Sequence, residues 1–297
     1  MTQFELGRLG VWGHVDSLAA PHAIAHVRRA EGFGYATFWV PETVGREPFA
    51  FLGLLAGATS SINLGTSIVG IWGHDAQTTR MASMTLAEAS GNRFVLGLGV
   101  SHPHLASKLR GHHFDRPVTR MREYLAAYHA AVYRGPVPDG GVEPPVMIAA
   151  LRERMTELAA TDADGALPYL VTPERVGWMR RLLDAGAAGA RPRLAVTLPV
   201  VLGKADDRDA ARAYLKPYLR TPTYQASWEL QGFDATDWEP PGSDRLADAM
   251  VAIGPVEAAR ERIEAMLAAG ADHVAIIPLS PDGTTENAST LKHLAER

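Results

Sequence analysis

The sequence contains no cysteine, no long apolar run and no cluster of basic residues, and each absence excludes a class of protein. Without cysteine, disulfides and thiol nucleophiles are excluded, and a metal site could use only histidine and carboxylate ligands. No segment approaches the ~20 apolar residues of a membrane-spanning helix. The net charge is −4, whereas a nucleic-acid-binding face needs clustered Lys and Arg. We therefore expect neither a nucleic acid nor a membrane among the partners.

The first residues of the chain, MTQFELGRLG, have neither the basic region nor the apolar core of a secretory signal. We therefore expect a soluble cytoplasmic protein. Its expected partner is a small molecule.

Short apolar segments alternate with amphipathic ones along almost the whole chain, which predicts regular βα units and a parallel sheet. Eight such segments predict strands at 8–13, 36–40, 62–70, 93–100, 144–150, 163–171, 193–203 and 272–279. Eight units favour a (β/α)₈ TIM barrel over an open doubly wound sheet. We expect one domain over 1–297, with a helical insertion at approximately 221–254 between the seventh and eighth strands. No P-loop and no G-x-G-x-x-G fingerprint is present.

In such a barrel the active site lies at the carboxyl ends of the strands, where the chain places many polar and aromatic residues. The residues at these predicted strand ends are Trp12, His14, Glu42, Gly70, Trp72, His74, Ser101, His102, His104, Ala150, Leu151, Arg152 and Tyr169. Each has an alternative structural explanation. A loop histidine is often simply solvated, Glu42 could cap the next helix, and Trp12 and Trp72 could be core aromatics.

The segment FVLGLGVSHPHL contains the most unusual of these strand ends. Its two glycines, Gly97 and Gly99, lie on the same side of the strand because side chains alternate. They either leave room for a flat group or allow close packing in the barrel. The His102-x-His104 spacing could chelate a metal, but no carboxylate stands at ligand spacing, so we expect no metal. Ser101 is not in a G-x-S-x-G nucleophile elbow.

Several segments resemble the luciferase-like monooxygenase superfamily, and most closely its actinobacterial F420-dependent subgroup. They are EGFGYATFWVPE, LGTSIVGIW, GNRFVLGLGVSHP, PPVMIAAL and MTELAATDADGALPYLVTPE. The resemblance extends in order over nearly the whole chain. It implies a TIM barrel that holds a deazaflavin or isoalloxazine ring in its mouth, and hydride transfer between the substrate and the deazaflavin.

The resemblance also implies roles for individual residues. It implies a non-prolyl cis peptide at Ser67–Ile68, a bulge that supports the ring together with Val69 and Gly70. Glu42 matches a residue near the ring, and His102 matches the group that handles the proton. Ala150, Leu151 and Arg152 match the loop that binds the cofactor phosphate at a helix N-terminus. Relatives commonly have glycine in that loop, so Arg152 could either bind the phosphate or block it.

The sequence therefore predicts an oxidoreductase that transfers hydride between coenzyme F420 and a small organic substrate. Glu42 and His102 are the expected catalytic residues, since an imidazole of pKa ~6.5 suits acid–base work near neutral pH. The expected cofactor-binding residues are Trp12, Ser67, Ile68, Val69, Gly70, Gly99, Ser101, Ala150, Leu151, Arg152 and Tyr169. The expected substrate-pocket residues are His14, Trp72, His74 and His104.

Two alternatives stay open from the sequence alone. One is an FMN-dependent monooxygenase, and the other is a flavin- or deazaflavin-binding protein without turnover. Superfamily relatives often dimerise, so a homodimer is also possible. The substrate and the direction of hydride transfer are not specified by any residue pattern.

Overall fold

The computed structural model describes residues 4–137, 142–204, 207–280, 282 and 284–295. The strands are β1 (Leu9–Trp12), β2 (Thr37–Val40), β3 (Asn63–Thr66), β4 (Val69–Gly70), β5 (Phe94–Gly99), β6 (Val146–Ala149), β7 (Gly165–Leu167), β8 (Arg193–Leu202), β9 (Ala252–Gly254) and β10 (His273–Pro278). The helices are α1 (Ala20–Gly32), α2 (Pro48–Ala56), α3 (Ala76–Ala89), α4 (Pro117–Ala130), α5 (Glu153–Asp162), α6 (Pro173–Gly186), α7 (Asp209–Leu215), α8 (Pro222–Glu229), α9 (Ala235–Trp238), α10 (Asp244–Met250), α11 (Val256–Ala268) and α12 (Ala288–Leu294).

Eight of these strands close into a parallel barrel. The order around it is β1, β2, β3, β5, β6, β7, β8 and β10. Closure occurs because β10 pairs in parallel with both β1 and β8. The prediction of a TIM barrel is therefore confirmed, and the open doubly wound sheet is excluded. Among the described helices, none is long and apolar enough to cross a membrane.

Alternate residues of each strand serve two different cores, which explains why the strands are apolar on both faces. Phe38, Leu96 and Ile148 point outward and pack under the helices. Trp39 and Met147 point inward and fill the barrel. The inner core continues into the helices between β8 and β10, where Trp228 is fully buried.

The structure shows four features that the predicted strands do not include. The predicted third strand is broken into β3 and β4 by a cis peptide at Ser67–Ile68. A π-helix at His104–Leu109 follows β5. The helix after β8 ends at Leu215, because Pro217 cannot continue the hydrogen-bonding pattern. A further short strand, β9, pairs with the end of β8.

Candidate active site

A small cleft, with a cavity volume of about 30 Å³, lies at the carboxyl end of the barrel beside β4 and β5. It is lined by Glu42, Thr43, Ile68, Gly70, Trp72, Gly73, Ser101, Leu105, Ala106, Leu109 and Arg110. Glu42 follows β2, Ile68, Gly70 and Trp72 lie at β4, and Ser101 follows β5. The cleft therefore joins the ends of three predicted strands at one place.

The cis peptide at Ser67–Ile68 forms a bulge in the floor of this cleft. The Trp12 indole Nε1 donates a hydrogen bond of 3.1 Å to the Ser67 carbonyl, which holds one side of the bulge. A Cβ added to Gly99 would lie 2.3 Å from Ile68 Cδ1. The Ile68 side chain thus lies directly against β5 at Gly99.

Gly97 and Gly99 do not leave empty space for a ring. A Cβ at Gly97 would lie 2.0 Å from the Thr66 carbonyl oxygen and 2.7 Å from Leu167 Cδ1. The Thr66 hydroxyl also accepts from the Gly97 N–H at 2.7 Å and donates to the Gly97 carbonyl at 2.8 Å. Close packing of β5 against β3 and β4, rather than a ring, explains both glycines.

Glu42 is the charged centre of the cleft, and only 9% of its side chain is exposed. Its Oε2 accepts from the Gly70 N–H at 2.6 Å. Its Oε1 lies 3.2 Å from His74 Nε2 and 2.6 Å from the Arg110 guanidinium. Glu42 therefore links the ends of β2, β4 and the π-helical segment instead of capping the next helix, a role that Glu47 performs.

The contacts between Glu42 and His74 shift the pKa values of both residues. Burial acts to raise the pKa of Glu42, but the hydrogen bonds from His74 and Gly70 outweigh it and hold the pKa below its usual value. The hydrogen bond to Glu42 raises the pKa of His74, against the opposing effect of burial. Glu42 is thus a carboxylate at neutral pH, and His74 is its partner rather than a free pocket wall.

Two further groups fix the β5 side of the cleft. The Trp72 indole donates a hydrogen bond of 2.7 Å to the Val100 carbonyl, and its ring packs against Phe114 with centroids 5.6 Å apart. Ser101 adopts a left-handed conformation with φ of 57°. This turn ends the strand and allows His102 to leave the barrel wall.

His102 points toward the helices inserted between β8 and β10. Its Nδ1 lies 3.4 Å from the Thr223 hydroxyl, and its ring centroid lies 5.3 Å from that of Tyr224. Both partners belong to α8. The structure therefore places His102 beside Ser101 of the cleft, under the inserted helices.

Tyr169 belongs to a group of aromatic side chains at the same end of the barrel. Its hydroxyl is hydrogen-bonded to those of Tyr214 and Tyr218. Its ring centroid lies 6.0 Å from Trp12 and 5.9 Å from Tyr224. Through Trp12, this aromatic group contacts the side of the mouth that holds the Ser67–Ile68 bulge. Through Tyr224, it contacts the side that holds His102.

The loop after β6 leads directly into the N-terminus of α5. Ala150 is buried, Leu151 is half-buried, and the exposed Arg152 is the N-cap residue. The cap makes no side-chain hydrogen bond, so the first amides of α5 have no side-chain acceptor there. The Arg175 guanidinium donates 2.6 Å to the Leu151 carbonyl and stacks on Trp178.

The remaining predicted residues contribute less to the cleft. The His14 backbone N–H donates to the Thr285 hydroxyl at 3.2 Å, and its ring lies 6.2 Å from Trp12. The backbone of His104 begins the π-helix, but its side chain lies outside the described residues. Among the described residues, no group of three or more histidine and carboxylate side chains could hold a metal.

The sequence did not indicate Arg110, Thr66, Tyr214, Tyr218 or Tyr224. Arg110 lies outside the predicted strands and their ends, and an arginine there carries no positional signal. Thr66 lies within a strand, where threonine is common. Tyr214 and Tyr218 follow the predicted seventh strand and Tyr224 lies in the predicted insertion, and no sequence pattern indicates that the three side chains meet Tyr169.

Comparison with known proteins identifies the relatives of this chain. A family model described as luciferase-like monooxygenase matches residues 2–273. A Mycobacterium tuberculosis protein named as a coenzyme F420-dependent oxidoreductase is 30% identical over 253 residues, which cover 71% of this chain and 70% of that protein.

Two solved structures share the fold at low sequence identity. An F420-dependent secondary alcohol dehydrogenase in complex with an F420–acetone adduct superposes with a TM-score of 0.77 at 13% identity, covering 99% of this chain and 98% of that chain. The oxygenating constituent of 3,6-diketocamphane monooxygenase from Pseudomonas putida, in complex with FMN, gives a TM-score of 0.72 at 15% identity, covering 97% and 96%.

Proposed function

This chain belongs to the luciferase-like monooxygenase family as an F420- or flavin-dependent oxidoreductase, and we propose that it transfers hydride between coenzyme F420 and a small organic substrate at the barrel mouth. The observation that carries the proposal is the cleft floor. There the Ser67–Ile68 bulge and Gly70 lie beside a buried carboxylate, Glu42, at the end where parallel barrels hold their active sites.

The residues present fit a deazaflavin. Ile68 offers an apolar surface on which a flat ring can lie, Gly70 has no side chain to obstruct the ring, and Ser101 lies at the edge. The N-terminus of α5 supplies backbone amides for the cofactor phosphate, and the exposed Arg152 adds a positive charge next to them. Since Arg152 is exposed, it can turn toward an anion without displacing a packed side chain.

When bound, the deazaflavin supplies a ring carbon that accepts or releases the hydride. The protein positions the ring and handles the substrate proton. Glu42 fixes the bulge through the Gly70 N–H, and Trp12 fixes it through the Ser67 carbonyl. His102 stands beside the cleft and is the proposed acid or base for the substrate proton.

Tryptophan fluorescence provides the test of cofactor choice. Trp72 lines the cleft, so a bound ring should quench its emission. We expect F420 to quench it and to bind at least about tenfold more tightly than FMN. Trp12, which contacts the bulge, should also be quenched, so a Trp72→Phe variant should lose part of the quenching at unchanged affinity. Tighter binding of FMN would favour an oxygen-dependent monooxygenase, the activity named for the Pseudomonas structure. Binding without turnover of any substrate would favour a non-catalytic cofactor-binding protein.

A further inference from the structure

The cleft beside β4 and β5 is much smaller than the ring that the proposed function assigns to it. Its cavity volume is about 30 Å³, which is about the share of one water molecule in the liquid. Pockets that enclose cofactor-sized molecules have roughly 300–1,000 Å³. The segment after β5 forms one side of the cleft, where it contributes Leu105, Ala106, Leu109 and Arg110 to the lining. This segment therefore has to move before a flat ring can lie on Ile68.

Little of this segment, residues 104–111, is packed into the protein. Ala106 is buried and Leu105 is half-buried, whereas residues 107–111 are exposed. The backbone hydrogen bonds run within the segment or to the residues that flank it, such as the His102 carbonyl. A segment with few buried apolar contacts and mainly local hydrogen bonds opens at a low cost in free energy. The segment can thus move without unfolding the barrel.

A residue in the left-handed conformation stands at each end of the segment. Ser101 has a φ of 57°, and Gly111 has a φ of 72°. A Cβ added to Gly111 would meet nothing within 4 Å, so the backbone conformation rather than close packing explains this glycine. Lids turn about a few residues at their ends, and Ser101 and Gly111 stand at these two positions.

One side chain holds the segment to the opposite rim of the cleft. The Arg110 guanidinium donates to Glu42 Oε1 at 2.6 Å and lies 3.5 Å from the Thr43 carbonyl oxygen. Among the described residues, no other hydrogen bond joins 104–111 to the chain beyond its flanking residues. A Cβ added to Gly73 would lie 2.5 Å from Arg110 Nη1. Gly73 thus leaves the space through which Arg110 reaches Glu42.

We propose that residues 104–111 form a gate over the cofactor cleft and that the Arg110–Glu42 ion pair holds this gate closed. When the gate opens, its side chains leave the cleft and the ring can reach Ile68. The inference rests on the proposed function, because it describes how the cofactor enters the same site. If only the open form binds, the apparent affinity is the intrinsic affinity reduced by the fraction of open molecules. Loss of the ion pair should therefore strengthen cofactor binding, whereas loss of a cofactor ligand would weaken it.

Hydrogen exchange of the intact protein, measured without cofactor, reports how often the gate opens. Arg110→Gln removes the ion pair, and Gly73→Ala displaces the guanidinium while every charge is kept. In both variants the amides of 105–111 should exchange about fivefold faster, because the pair is partly exposed and contributes on that order. Lys108→Gln is the matched control, since it removes one positive charge from an exposed position of the same segment. It should leave the exchange unchanged.

Stopped-flow quenching of tryptophan fluorescence follows F420 binding independently of turnover. Arg110→Gln should bind F420 faster and about fivefold more tightly than Lys108→Gln, which has the same net charge. Equal or weaker binding by Arg110→Gln would overturn the proposal, and weaker binding would show that Arg110 holds the cofactor. Unchanged hydrogen exchange in Arg110→Gln or in Gly73→Ala would also overturn it. If Arg110→Gln fails to fold, the exchange of Gly73→Ala decides the outcome.

The two measurements separate this inference from the proposed function, because hydrogen exchange needs no cofactor. Faster exchange in Arg110→Gln and Gly73→Ala, in a protein that binds neither F420 nor FMN, contradicts the proposed function and leaves the role of the Arg110–Glu42 pair intact. Binding of F420 with equal affinity by Arg110→Gln and Lys108→Gln contradicts the gate alone.

Discussion

The carboxylate Oε2 of Glu42 accepts a hydrogen bond of 2.6 Å from the backbone N–H of Gly70. This contact fixes the end of β2 to the short strand that follows the cis peptide. Because the other oxygen, Oε1, contacts His74 and Arg110, one buried carboxylate organises three sides of the cleft. The first prediction concerns this residue.

Glu42→Gln should lower the pKa of His74, because it removes the carboxylate that raises this pKa and leaves the opposing effect of burial. The stabilisation from the His74–Glu42 pair is fully present below the unfolded pKa of histidine and is lost as the pH rises through the raised pKa of folded His74. The variant should therefore lose more unfolding free energy at about pH 6 than at about pH 9, by roughly 1 kcal/mol.

Histidine NMR titration and urea denaturation at the two pH values provide the measurement. Glu88→Gln, a substitution of an exposed residue on α3, is the control. It should alter neither the pKa of His74 nor the difference in unfolding free energy between the two pH values. A His74 pKa that does not move in Glu42→Gln would show that the pair does not interact in solution.

His102→Ala should leave the affinity for cofactor largely unchanged and should reduce turnover by about 10²-fold or more, since a positioned acid or base contributes that much. Affinity is measured by fluorescence titration and turnover by the change in deazaflavin absorbance. His22→Ala, an exposed change on α1, should retain full activity. Unchanged turnover in His102→Ala would remove His102 from the mechanism.

Acid should destabilise the protein through two buried histidines. Burial lowers the pKa of His26 to about 4, with a contribution from Arg29, and burial also lowers the pKa of His273 to about 4. Both residues are neutral when folded and take up a proton on unfolding below pH ~6.5. The unfolding free energy should thus fall as the pH drops from about 6.5 to about 4, with each histidine contributing about 1.4 kcal/mol per pH unit at the steepest.

His26→Leu tests this linkage. The Nε2 of His26 is buried without a hydrogen-bond partner among the described residues. Leucine should therefore remove the contribution of His26 to the pH dependence of the unfolding free energy, while its side chain fills the site. Urea denaturation across the pH range measures the slope, and exposed His22→Leu on the same helix is the control. An unchanged slope in His26→Leu would mean that His26 is accessible to protons in the folded protein.

Gly97→Ala should destabilise the barrel strongly, by about 3 kcal/mol or more, because the added methyl would lie 2.0 Å from the Thr66 carbonyl. Gly53→Ala on α2 is the matched substitution, since nothing lies within 4 Å of its added methyl, and it should stabilise by up to about 1 kcal/mol. Thermal and urea denaturation measure the change in unfolding free energy for both variants. Equal effects of the two changes would contradict the close packing at β5.

Much of the barrel could be predicted from the sequence, because strands buried on both faces leave continuous apolar segments. The sequence placed Glu42, Trp72 and Ser101 at the ends of predicted strands, and all three line the cleft. The cis peptide at Ser67–Ile68 was expected only from the family resemblance. No local pattern predicts it.

The residues that could not be predicted depend on long-range folding. Arg110 reaches Glu42 across 68 positions of sequence, and Tyr214 meets Tyr169 across 45. Neither spacing leaves a periodic signal. Of the two alternatives that the sequence left open at Gly97, close packing is the one observed, because a backbone carbonyl from the neighbouring strand lies where a side chain would be. Side-chain alternation alone does not decide between them.

Transfer of deuterium tests the central claim most directly. F420 reduced with deuterium at its hydride-carrying carbon is mixed with the protein and a panel of uncharged ketones under anaerobic conditions, and the products are analysed by mass spectrometry. The proposed function predicts an alcohol that carries one deuterium on its carbinol carbon. Deuterium that stays on the cofactor with every ketone, together with oxygen consumption that requires reduced FMN in a separate aerobic assay, would contradict it.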